Sequence, residues 1–405
     1  MVQGRFLQRF IENLLLGLDS IDASSTIYYN KRSGGVPMKK IICYKRLWLL
    51  LFAPAAFLLS YIASRTPAFA EWYAVTIYPA LSKSGNLVTS FVPFSIAELL
   101  IMLFIIGTAV YLIVCVIKIR KGRGSRGKYL FLSLITPVCL ASVLYFVFML
   151  DCGINYSRYT FAQTSGLEVR PSSKTELTAL CNALGDKVNA LRKEVKVNEK
   201  SVMKLKSENI YETAKEAQAA FNKVHQQYPL LLAGYGQPKP VIGSRLMSWC
   251  NITGVFFPFT FEANVNVDVP QYSIPATMCH ELSHLRGYMR EDEANFIGYL
   301  ACENSDTPDF QYSGNMLAFI YTYNALSDAD SGAAGKVYAK LSDGVKRELA
   351  DDYAYWEQFK GPVAVAASAV NDSYLKANKQ EDGVKSYGRM VDLLLAEYRA
   401  NQKAR

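Results

Sequence analysis

The chain has 405 residues, of which 51% are hydrophobic and 20% charged, and it carries a formal charge of +9. That apolar fraction excludes a mostly disordered protein, and the length allows one large domain or two of ordinary size. The charge is lopsided: residues 1–150 hold 16 Lys/Arg against 5 Asp/Glu, whereas 151–405 hold 28 against 30. A nearly neutral folded part lacks the basic face that a nucleic-acid-binding domain needs, so no nucleic acid is expected as a partner.

The asymmetry has its origin in the first 150 residues. Leu47–Ala63, Leu99–Ile117 and Tyr129–Leu150 are runs without a charged residue. Each approaches the roughly 20-residue helix that crosses a hydrocarbon core, and soluble core helices of that size keep a polar stripe. Three transmembrane helices are expected. Of the 16 basic residues, eight precede the first run and six lie between the second and third, at 118–128. The positive-inside bias places both segments in the cytoplasm, and three crossings carry everything after Leu150 outside it. The expected organisation is a cytoplasmic segment 1–46, a transmembrane region 47–150 in the lipid bilayer, and an extracytoplasmic domain 151–405 of a bacterial cell-membrane protein. Met38-Lys39-Lys40 reads as a natural start ahead of a span, which makes Met1 a candidate start misassignment.

Cys43, Cys115 and Cys139 sit in or beside the spans. Cys152, Cys181, Cys250, Cys279 and Cys302 follow in the exported part, an odd number without the spacing of a disulfide scaffold. Helical patterns are expected at about 173–197 and 207–228, with a Gly/Pro-rich link at 234–243. From Glu262 to Val269 apolar and polar residues alternate, the signature of a half-exposed strand. After Pro270 the pattern turns helical, with Pro275 in the first turn. Further helices are expected at about 291–303, 310–326, 333–359 and 363–400, the last broken near Asn378–Gly383. The fold class is therefore mainly α, with a small edge-strand sheet.

The chemistry lies on the helix after the strand. His280-Glu281-Leu282-Ser283-His284 is an HExxH motif, and residues four apart on a helix share a face. Both imidazoles can bind one zinc ion, while Glu281 acts as general base on a water in the open position. Met278, Cys279, Leu282 and Leu285 are the apolar or uncharged neighbours a buried metal helix requires. Arg286 departs from that pattern, and Gly287 is placed to end the helix. His225, in a polar helical stretch, reads as a surface residue.

The stretches PFTFEANVNVDVP, CHELSHLRGYMREDEANFIGYLAC and SYLKANKQEDGVKSYGRMVDLLLAEY resemble a bacterial membrane family catalogued as domain of unknown function 3810, over roughly residues 40–400. More remotely, Glu291-Asp292-Glu293-Ala294-Asn295 resembles the ExxAD or ExxAN segment that supplies the third zinc ligand of gluzincins. Asn295 stands where many of those proteins have Asp, and the gap from His284 is short. The resemblance implies a zincin-like domain and names no substrate. For the third ligand Glu291 and Glu293 compete, because they lie about 200° apart on a helix and cannot face one ion together. Glu291 shares a stripe with Asn295, Gly298 and Cys302, where Asn295 can orient the carboxylate and Gly298 admits a neighbouring backbone. That stripe and the ExxAN match favour Glu291. Cys279 and Cys302 are the soft-ligand alternatives. Tyr387 and Arg389 are candidates to stabilise an oxyanion, against a packed tyrosine and a surface or ion-paired arginine. The expected function is a membrane-anchored zinc metalloendopeptidase acting on a peptide or protein; the alternative is a non-catalytic zinc-binding sensor or scaffold.

Overall fold

A computed structural model describes residues 45–122 and 124–403. The expectations for 1–44, among them the alternative start and Cys43, lie outside the described residues. Among those residues the fold is mainly helical with one three-stranded sheet. Three helices are long and apolar enough to cross a membrane: Lys45–Arg65, Ile96–Lys121 and Arg126–Asp151.

The described chain divides into two compact units. One holds residues 45–60 and 101–149. There Ser142 Oγ accepts from Ala53 N at 2.8 Å, and Tyr111 donates to Ser133 O at 2.9 Å. The other joins Tyr61–Leu100 to residues 150–403. Two helices between the first spans, Pro67–Thr76 and Tyr78–Thr89, thus belong to the larger unit.

The sheet of that unit consists of β1 (Lys239–Pro240), β2 (Gly254–Phe257) and β3 (Glu262–Val265) in the order β1-β3-β2. β1 runs parallel to β3 and pairs Lys239 with Asn264; β2 runs antiparallel and pairs Phe256 with Ala263. The alternating stretch is therefore a four-residue central strand with both faces covered, and not an eight-residue half-exposed one. Its polar residues are buried because each finds partners. Glu262 accepts from Ile96 N, Ala97 N, Thr260 Oγ1 and Lys239 Nζ, and Asn266 Nδ2 donates to Ser248 Oγ and Ile252 O. The link at 234–243 contains β1, and β2 was not foreseen.

The helices follow the sequence pattern with shifted ends. Lys174–Leu191 stops before the expected 197, and Ser173 caps it reciprocally with Glu176. The stretch 333–359 is two helices, Ser331–Lys340 and Asp343–Glu357, divided where Ser342 caps the second. Pro362–Ala377 and Met390–Lys403 flank a 3-10 turn at Gly383–Arg389. Centrally, the helix Ile274–Leu285 packs against β2, β3 and the helices Ile210–Gln227, Glu291–Glu303 and Pro308–Ala329. Met278, Cys279, Leu282 and Leu285 on it are fully buried.

Candidate metal centre

Local rules bring three side chains to one point. Pro275 opens the HExxH helix where no backbone donor is needed. The helix closes at Arg286 in a Schellman turn: Gly287, at φ +85°, donates to His284 O at 2.8 Å, and Tyr288 N reaches Ser283 O at 3.3 Å. That turn sends the chain back so that Glu291 begins the next helix alongside the first. The two helices meet closely at Gly298, where a Cβ would stand 3.1 Å from His280 N.

His280 Nε2 and His284 Nε2 are 3.0 Å apart, and Glu291 Oε2 lies 3.2 Å from the first and 3.5 Å from the second. These three groups form a cluster able to hold a metal ion. Their side chains are 12%, 9% and 9% exposed, so the cluster is shielded without being sealed. Each imidazole is oriented through its other nitrogen. His280 Nδ1 bonds Asn295 Oδ1 at 2.8 Å, and His284 Nδ1 bonds Tyr288 O at 2.8 Å. A backbone carbonyl only accepts, so His284 Nδ1 carries the proton and its Nε2 keeps a lone pair in the neutral ring. Asn295 therefore orients an imidazole, not the carboxylate expected from the stripe.

Burial works against charge on His284, but the Glu291 carboxylate beside it prevails and holds the imidazolium up to about 9. For Glu291 burial pushes the other way, and the two imidazoles overcome it, drawing the carboxyl down to about 2. Each group thus favours the charged form of the other across the cluster.

Glu281 is buried one residue along, with its carboxyl pushed up by burial against the pull of both histidines. It lies under β2. A Cβ on Gly254 would come within 2.3 Å of Glu281 Oε1, and the nearby backbone N–H of Phe256 favours the ionised carboxylate. Only glycine lets the strand pass this close. Tyr387 stacks on His280, with ring centroids 6.5 Å apart and planes 18° apart. Burial, and then the Glu291 charge, raise its phenol well above the usual range, and Asn371 lies beside the hydroxyl. Tyr321 lies beside Asn295, and Gln380 Oε1 accepts from Glu291 N at 3.1 Å. Neither residue was singled out by sequence, because both come from distant helices and turns with no motif.

The remaining candidates stand elsewhere. Glu293 accepts from Phe161 N at 2.8 Å and from Arg290 Nη1 at 3.0 Å, on another side of its helix. Arg389 pairs with Asp382 at 3.2 Å, about half exposed. Cys279 and Cys302 are fully buried and face each other across the two helices, outside the cluster. His225 is half-buried on Ile210–Gln227. Arg286 is buried in the helix turn: it donates to Leu232 O at 2.8 Å and Leu282 O at 2.7 Å and stacks 3.8 Å over the Phe221 ring. Those contacts let a charge occupy a position where an apolar residue is usual.

A mainly helical chain with three membrane-length apolar helices and a buried His-His-Glu cluster is the class that fold and site define. The chain belongs to the family described as protein of unknown function (DUF3810), whose model matches residues 73–395. No curated protein and no solved structure matches it.

Proposed function

We propose that this chain is a membrane-anchored, zinc-dependent metallopeptidase with a gluzincin-like site on a zincin-like fold, cleaving a peptide or protein outside the cytoplasm. One observation carries the reading: two imidazole nitrogens and a carboxylate oxygen converge on one point, with a fourth buried group, Glu281, beside them. Tetrahedral donors at about 2.0–2.1 Å from zinc lie about 3.3 Å from one another, close to the separations found here. Lone pairs at such distances repel unless a cation or a proton lies among them. Two imidazoles and one carboxylate are a catalytic zinc set, which leaves a fourth position to water.

Zinc held there would supply an acidified water and a Lewis acid for the scissile carbonyl. The chain's own residues do the rest. Glu281, held under β2 at Gly254, takes the proton of the attacking water and returns it to the leaving nitrogen. His280 and His284 keep their tautomers through Asn295 and Tyr288. Tyr387, kept neutral by burial, donates a hydrogen bond to the developing oxyanion. Arg389, paired with Asp382, takes no part. The free edge of β2 supports an extended substrate strand over Glu281.

The basic segments before the first span and between the second and third, which two crossings bring to one side, support an N-terminus inside and the cluster outside. Alkaline phosphatase fused after Leu150 should be active, and fused within 118–128 inactive; the reverse pattern would place the cluster in the cytoplasm. For the chemistry, the full chain purified in nanodiscs is assayed for metal content and peptide-library cleavage. Glu281→Gln should keep zinc and lose cleavage by about 10²–10⁴-fold. His280→Ala and His284→Ala should lose both. Cleavage by Glu281→Gln at the wild-type rate would leave a zinc-binding sensor or scaffold as the better reading.

A further inference from the structure

Residues 66–95, between the first two membrane-length helices, include only two charged side chains, Glu71 and Lys83. Arg158 binds Glu71 at 2.8 and 3.0 Å, and Lys83 lies over the Tyr235 ring. The helix Tyr78–Thr89 is inverted by the standard of a soluble protein. Its buried side is Tyr78, Ser82, Asn86 and Thr89. Ser82 bonds the Tyr235 hydroxyl at 2.8 Å, and Asn86 donates to Phe261 O at 2.8 Å and accepts from Gly236 N at 2.6 Å. Its outer side shows Leu87 and Val88, 64% and 66% exposed, and Phe91 just beyond it is 81% exposed. In water a surface helix turns its polar residues out and its apolar ones in. Here the polar residues are spent on the protein.

A second apolar patch belongs to the short helix Ser244–Trp249 and the turn before it. Ile242 is 86% exposed and Leu246 71%. Hydrogen bonds draw both patches to one place, the first turn of the helix Ile96–Lys121. Glu98 on that turn accepts from Ile242 N at 3.0 Å and Gly243 N at 2.7 Å. Lys239 Nζ donates to Thr89 O at 2.7 Å and Phe94 O at 3.1 Å. From residue 84 to 97 and from 246 to 261 no side chain is charged.

We propose that this collar lies in the bilayer, so that the unit holding the His-His-Glu cluster is seated on the membrane surface and does not hang from it by the spans alone. Continuity selects lipid as the occupant. The collar surrounds the start of a helix apolar enough to cross the hydrocarbon core, and Leu99 and Leu100 on its second turn are exposed in the same way. Exposed apolar area of this extent, in which the charges of Lys83 and Arg245 are turned onto Tyr235 and Asp268, is characteristic of surfaces that meet lipid or a partner. The inference rests on membrane insertion of the three helices and is independent of the peptidase chemistry.

Photocross-linking of the full chain in phospholipid vesicles tests it. p-Benzoylphenylalanine replaces Phe91 or Leu246, with Ile101 as a position inside a span and Tyr353, 65% exposed, as a position in water. All four side chains are exposed, so the replacements leave the core intact. Mass spectrometry should find phospholipid adducts at Phe91 and Leu246 in yields near that of Ile101 and well above that of Tyr353. Cross-linked dimers, an internal cross-link to residues 1–44, or yields no higher than at Tyr353 would each overturn the proposal. Absence of adducts at Ile101 itself would overturn membrane insertion together with the collar.

Discussion

Glu291 and Glu293 are two residues apart on one helix, and the difference between them is set by what already occupies their surroundings. Glu293 has its lone pairs committed to Phe161 N and Arg290, whereas Glu291 Oε2 meets only the two imidazole nitrogens. Glu291→Ala in the full chain should therefore lower metal affinity by more than the roughly 10–100-fold typical of losing an outer partner. Glu293→Ala should keep the metal and lose stability, by about 1–3 kcal/mol for the unsatisfied Phe161 donor and Arg290. Metal retention under graded chelation, beside thermal melts of both variants, separates the two effects; retained metal in Glu291→Ala would remove it from the ligand set. The histidines and Glu281 were legible in the sequence because helical periodicity alone puts positions 280 and 284 on one face. Glu291 was legible through the same periodicity and the ExxAN pattern. The stripe points Asn295 at the carboxylate, whereas it bonds the His280 ring, since a stripe on one helix does not say which atom of the neighbouring helix faces it. Tyr321 and Gln380 were invisible, because no local pattern links them to position 295 or 291.

At the scale of elements, the membrane-length helices and the long amphipathic helices could be read from apolar runs and 3.6-residue periodicity. The sheet could not. β1 is two residues long, β2 four, and neither gives an alternating pattern to detect. β3 alternates as a half-exposed strand does, yet its polar residues turn inward: Asn264 donates to Val255 O, and Glu262 binds the first turn of Ile96–Lys121, 165 residues away for Ala97. Another buried carboxylate shows what such contacts imply for pH. Glu348, on Asp343–Glu357, is 1% exposed and accepts from Met203 N at 3.0 Å, with Arg192 beside it at 3.4 Å. Burial outweighs both favourable partners and raises its carboxyl to about 7. The folded state then binds a proton that the unfolded chain releases near 4.5, so this group makes stability fall as pH rises from about 4.5 to 7. Below that window its contribution is unchanged by ionisation. Glu348→Gln keeps an acceptor for Met203 and removes the penalty, so at pH 8 the variant should melt higher than wild type, by at most about 3 kcal/mol. Near pH 4.5 the difference should vanish. Equal wild-type and variant melts at both pH values would show that the group titrates normally.

At the scale of the whole molecule, sequence places a boundary at Leu150, whereas the compact unit around the His-His-Glu cluster also takes in Tyr61–Leu100. Nothing in the composition of an interspan stretch announces this. Its contacts are with residues about 90 to 200 positions away, and they decide whether the part after Leu150 can fold alone. Tyr78 is fully buried and its hydroxyl donates toward His284 O and Leu285 O, at the end of the HExxH helix. Asn86 satisfies Phe261 O and Gly236 N, and Glu71 is the carboxylate partner of Arg158, which is 3% exposed. Deleting residues 1–150 would remove all of these at once. Stripping the partner from a buried guanidinium costs about 3–5 kcal/mol, and emptying the site of a buried aromatic ring about the same again. Together these approach the whole stability of an ordinary domain, about 5–15 kcal/mol. Residues 151–405 produced alone should therefore melt without a cooperative transition, bind a hydrophobic dye and fail to retain metal. Supplying residues 61–100 on a flexible linker should restore the transition. A point variant checks the same contact within the full chain: Glu71→Ala should lower the melting temperature, whereas Lys83→Ala, which leaves the Arg158 partner in place, should change it little. A cooperative melt and full metal retention by 151–405 alone would show that the interspan helices cover the unit without completing its core.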